Sequence, residues 1–113
     1  FLNADTNIIE LDLSNNQLTN VDGLSNLTSI RILNLSDNQL TNVDGLSNVT
    51  YTYMMNLSNN QLSDISGLNK LTGEGDYVVI HLENNQLTNV DGLSNLKEVW
   101  MMFIVMGLLK DYN

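Results

Sequence analysis

The block "QLTNVDGLSN" occurs word for word three times, beginning at Gln17, Gln39 and Gln86, and a close variant begins at Gln61. Each copy follows a short apolar segment: "LDLSNN" from Leu11, "LNLSDN" from Leu33, "MNLSNN" from Met55 and "IHLENN" from Ile80. The starts are 22, 22 and 25 residues apart, and the excess of three falls in "LTGEGDYVVI", where Gly73–Gly75 is the expected insertion. A period of this length confines the chain to repeat architectures, because one unit cannot bury its own apolar face and must stack on the next.

The units share the pattern L-x-L-x-x-N-x-L-x-x-V-x-x-L-x-x-L, with Met55, Ile80, Ile65 and Val49 as apolar replacements. The alternation of Leu11 with Leu13, and of Leu33 with Leu35, predicts a half-buried strand. The apolar residue at every third position after "NVDG" predicts a tight, partly 3₁₀ return segment. Gly23, Gly45, Gly67 and Gly92 sit there, where a turn or a close approach of backbones suits glycine. Asn16, Asn38, Asn60 and Asn85 follow the strands. A buried Asn must find partners, so stacked copies are expected to form a structural ladder along open backbone groups.

This pattern resembles leucine-rich repeats, and the 22-residue length resembles the bacterial internalin type. The resemblance implies a right-handed β-α superhelix: a solenoid with a short curved parallel sheet of about five strands and a 3₁₀ or irregular convex side. Internalin-like repeats usually carry Pro where this chain has the four glycines. One domain is expected over 1–113: a partial unit at 1–10, four repeats at 11–97 and a degenerate fifth repeat or cap at 98–113. A fifth unit in phase would start at Met102, with Ile104 and Leu109 in the core and Gly107 in place of Asn.

The resemblance also implies that residues between the core leucines face a partner from the concave side. That gives four stripes: Glu10, Ile32, Met54, Val79 and Met101; Asp12, Asn34, Asn56, His81 and Phe103; Ser14, Ser36, Ser58, Glu83 and Val105; Asn15, Asp37, Asn59, Asn84 and Met106. Arg31, Tyr53, Val78 and Trp100 fall just before them. The stripes run from acidic and polar to apolar and aromatic. Met, Trp and Tyr on an open face are typical anchors. The candidate contact residues are Tyr53, Met54, Val79, His81, Trp100, Met101 and Phe103; Met101, Met102, Phe103, Ile104 and Val105 also suit a cap on the core.

Charge and composition narrow the partner. Four basic residues against thirteen acidic ones give a net charge of −9. That disfavours nucleic acid and anionic membrane surfaces. The longest apolar run, Val99 to Leu109, is far short of the roughly 20 residues of a membrane-spanning helix. Another protein, or a second copy of the chain joined through its apolar last strand, is the expected partner. No cysteine is present, so no disulfide or thiolate chemistry is available.

No cofactor, metal or catalytic centre is expected. His81 and Glu83 share a strand face but lack a third ligand. Ser58 lies diagonal to His81 without an oxyanion hole. "GEG" lacks the Lys and helix of a phosphate loop. Sequons at Asn26, Asn34, Asn48 and Asn56 arise from the repeat itself. The start at Phe1 reads as a processed, cut or engineered piece, and no signal segment precedes the repeats. The near-identity of the blocks fits recent duplication or consensus design. An extracellular or surface location follows if the chain is natural and internalin-like.

Overall fold

The computed structural model describes residues 9–72, 77–96 and 101–105; for Tyr77 and for 101–105 it describes the backbone. Five strands form one parallel sheet in sequence order: β1 Glu10–Asp12, β2 Ser29–Asn34, β3 Tyr51–Asn56, β4 Tyr77–His81 and β5 Met101–Val105. A one-turn 3₁₀ segment lies between each pair of strands: Asp22–Leu24, Asp44–Leu46, Ser66–Leu68 and Asp91–Leu93. These pack on one another along the back of the molecule. The arrangement is a leucine-rich-repeat solenoid, as the resemblance implies.

Leu33, Met55 and Ile80 are in register and fully buried, and Leu35, Leu57 and Leu82 are buried just beyond the strands. The back contributes Val43, Leu46 and Val49 from one unit and Ile65, Leu68 and Leu71 from the next, all within 2% of complete burial. Each unit therefore closes its core with the strand leucines on one side and the every-third-residue series on the other. Burying a side chain of this kind stabilises by about 1.5–3 kcal/mol, and only the neighbouring unit makes such burial possible.

The strands differ from the simple alternation expected of them. They begin earlier, and in β2 the buried residues are Ile30 and Leu33, with exposed Arg31 and partly buried Ile32 between them. In β3 Thr52 and Met55 are buried around Tyr53 and Met54. Two successive side chains thus leave the core in each of these strands. In β4 strict alternation returns: Val78 and Ile80 are buried and Val79 lies between. Val78 therefore belongs to the core rather than beside Arg31 and Tyr53, where the sequence spacing put it. Thr52 is fully buried, and its hydroxyl donates to the Met54 carbonyl at 3.3 Å, which lets a polar side chain occupy a core position.

The back is held by local bonds that the apolar pattern does not reveal. The Asn20 side-chain oxygen accepts the backbone N–H of Asp22 at 3.0 Å. Asn42, Asp64 and Asn89 do the same for Asp44, Ser66 and Asp91. These Asx turns set up the 3₁₀ bond from Leu24 N–H to the Val21 carbonyl and its equivalents. Glycine is needed one position later. A Cβ on Gly45 would lie 2.1 Å from the Val21 carbonyl oxygen of the preceding unit, and one on Gly67 would lie 2.4 Å from that of Val43.

The fifth strand sits two residues away from the expected phase. Tyr77 pairs with Met101, Val79 with Phe103 and His81 with Val105. Ile104, not Met102, is the partner of Ile80. A shift of two preserves side-chain parity on a strand, so the apolar pattern of "MMFIV" fits either register, and nothing polar in it penalises the slip.

Candidate functional site

The sheet face opposite the core carries the candidate contacts. Glu10, Ile32, Met54 and Val79 form one in-register row across β1 to β4. Phe103, rather than Met101, continues this row on β5. Glu10 is exposed, and the three apolar members are partly buried. Beside this row lie Ile9, 66% exposed, and Arg31 and Tyr53. The Arg31 guanidinium stands 5.1 Å from the centre of the Tyr53 ring, a cation–π contact between adjacent strands.

The next row is Asp12, Asn34, Asn56 and His81. Its polar groups are largely engaged in ending their own strands. The Asn34 oxygen accepts from the Ser36 N–H at 3.0 Å and from the Ser36 hydroxyl at 2.7 Å. Asn56 treats Ser58 in the same way, and Asp12 treats Ser14. The Ser14 hydroxyl and N–H together hold the Asp12 carboxyl below the usual aspartate value. In the fourth unit the pair is replaced: His81 Nδ1 lies 3.4 Å from Glu83 Oε2. Among the described residues no group of three or more His, Cys, Asp or Glu is placed to hold a metal ion.

Among the described residues of the expected third and fourth stripes, only Val105 lies on a strand. Ser36 and Ser58 are buried, with their hydroxyls turned to Asn34 and Asn56. Asn15, Asp37, Asn59 and Asn84 have φ of 56°, 58°, 57° and 59°. They are left-handed turn residues, a conformation that Asn and Asp tolerate best among residues with a Cβ. This role leaves a signal in sequence: every unit has Asn or Asp immediately before the turn Asn.

That turn Asn bridges units. The Asn38 amide donates to the Leu13 carbonyl of the preceding unit at 3.0 Å and to Leu35 and Ser36 in its own. Its oxygen accepts from Leu18 N–H at 3.1 Å. Asn60 repeats this with Leu35, Leu57, Ser58 and Leu40. Asn85 repeats it with Leu57, Leu82, Glu83 and Leu62. Asn16 bonds Leu13 and Ser14 within its own unit.

Trp100 and Met106 lie outside the described residues, as does the "GEG" insertion. Of the candidate contacts, the structure brings Tyr53, Met54, Val79 and His81 onto one side of the sheet and puts the backbones of Met101 and Phe103 on the adjoining strand.

Sequence and fold comparisons agree with this geometry. A family model for leucine-rich repeats, two copies, matches residues 6–48. The crystal structure of internalin C2 from Listeria monocytogenes superposes with a TM-score of 0.64 at 29% identity, covering 83% of this chain and 40% of that one. Residues 6–48 thus match leucine-rich repeats, and the fold is similar to that of this internalin. The chain spans less than half the length of that internalin chain. No curated protein matches it in sequence. Repeats of this family are protein-interaction scaffolds and are generally not enzymes. Among the described residues no helix is long and apolar enough to cross a membrane.

Proposed function

We propose that this internalin-like chain is a non-enzymatic protein-binding module that uses the sheet face opposite its core, the concave face of the solenoid. The in-register row Ile32, Met54 and Val79 carries this reading, because three apolar side chains stand partly open on a face whose backbone is already satisfied. Tyr53, braced by Arg31, adds an amphipathic anchor of the kind that dominates binding energy. His81 offers the row its polar border. The catalytic alternative lacks support: Ser58, the nearest hydroxyl candidate, is buried and committed to Asn56.

A photo-crosslinking residue at Arg31 tests the face against the same residue at exposed Asn69 on the back. Crosslinks to a partner protein from position 31 and not from 69, lost in Met54→Ala with unchanged melting temperature, are expected. Equal labelling from both positions would overturn the reading.

A second reading is an assembly unit that dimerises through β5. Its support is that β5 is the last strand in the sheet order and reads "MMFIV". An apolar edge strand invites pairing with another copy. Light scattering of the purified chain decides: a stable monomer at high micromolar concentration removes this reading and leaves the first untouched.

A further inference from the structure

The apolar row and the charge around it specify more than a protein partner. Resting on the binding-face reading above, we infer that the face takes an amphipathic α-helix with Lys or Arg at the end that lies over β1.

Spacing argues for the helix. The row Glu10–Ile32–Met54–Val79 runs across the strands rather than along them. Adjacent strands are about 4.8 Å apart, so three steps cover about 14 Å. A helix presents one ridge of side chains every turn of about 5.4 Å, or about 16 Å in three steps. An extended ligand presents same-face side chains about every 6.8 Å and would cover about 20 Å. A helix thus stays within about 2 Å of the row's spacing, where a strand drifts by about 6 Å. Helix-in-groove recognition uses this i, i+3/i+4, i+7 series of anchors.

Charge fixes which end goes where. Glu10 and Asp12 are both exposed on β1. The one ion pair among the described residues is His81 with Glu83, so neither β1 carboxylate is neutralised by a described cation. Arg31, the basic residue of this face, is placed over Tyr53 on the side of β3. From β1 to β4 the row passes from carboxylate to aliphatic and thioether. A complementary helix carries its cations over β1 and its aliphatic or aromatic side chains over Met54 and Val79. The net charge of −9 steers such a ligand on approach.

Three labelled 14-residue peptides test this by fluorescence anisotropy against the full chain: a Leu/Lys peptide with helical periodicity, its Leu/Glu counterpart, and a Leu/Lys peptide of strictly alternating pattern. The helical Leu/Lys peptide is expected to bind best. Glu10→Gln with Asp12→Asn should weaken it about fivefold to tenfold, an effect that shrinks with salt. Asn at position 12 is safe for the fold, since Asn34 and Asn56 hold the same turn in the next two units. Met54→Ala should weaken it about tenfold. If the Leu/Glu or alternating peptide binds as tightly and Met54→Ala still weakens it, the helix-and-charge inference falls while the binding face stands. If no peptide binds, the inference falls alone. Binding indifferent to Met54→Ala is charge attraction without the row and sinks both.

Discussion

The first repeat and the third follow the same residue pattern and differ in burial. Leu57 and Leu62 are completely buried, whereas their counterparts Leu13 and Leu18 are partly open. Asn60 is buried and reaches back to the Leu35 carbonyl of the preceding unit, while Asn16 is exposed and, among the described residues, bonds only within its own turn. Gly67 is buried against the Val43 carbonyl, and Gly23 is exposed. Leu13, Leu18, Val21 and Leu24 line a shallow groove of about 190 Å³ at this end. The worth of a residue in this fold is set by the unit stacked on it, not by its own identity.

Paired substitutions test that statement. Leu57→Ala should cost about 4 kcal/mol and Leu13→Ala about 1 kcal/mol in urea unfolding, because only the first leaves a closed cavity. Equal losses would show that the two ends are packed alike. Next in size, Asn60→Ala should cost about 3 kcal/mol, since it leaves the buried Leu40 N–H without its acceptor and takes one of two donors from the Leu35, Leu57 and Ser58 carbonyls, while Asn16→Ala should cost about 0.5 kcal/mol. Gly67→Ala should cost about 2 kcal/mol by overpacking against backbone, and Gly23→Ala should be nearly neutral if the neighbouring unit is what matters.

The smallest effect concerns acid. The Asp12 carboxyl titrates below its unfolded value, so its contribution is present above that value and is lost as pH falls through the folded one. Nuclear magnetic resonance titration should show this depression, and Ser14→Ala should raise the Asp12 value back toward normal. An unchanged value in Ser14→Ala would mean that the two Ser14 bonds do not set it.

The repeat made the sheet and its core readable in advance, because an apolar residue at a fixed period has only one place to go when units stack. Leu33, Leu35, Leu46 and Leu68 needed nothing else. The strand limits were not readable. Two adjacent side chains leave the core at Arg31–Ile32 and Tyr53–Met54, and no local pattern distinguishes this from alternation. The phase of β5 also escaped, since "MMFIV" satisfies the core in either of two registers. The outward face was only half legible. Ile32, Met54 and Val79 follow from parity, but spacing alone also puts Ser36 and Asp37 on that face, and only their turn geometry removes them. Short polar side chains serve a backbone turn or a partner equally well, and the sequence does not say which.

The stacked glycines have a consequence for how such a chain can vary. Gly45, Gly67 and Gly92 meet the preceding unit's carbonyl at similar hypothetical Cβ distances, 2.1, 2.4 and 2.2 Å, although 22 residues separate the first two and 25 the last two. The back of the solenoid therefore works as a fixed-pitch thread. By sequence spacing the three extra residues fall between Thr72, still bonded to Thr50, and β4. A peptide of foreign sequence inserted at that point would alter what the protein displays without changing the rise from one turn of the thread to the next.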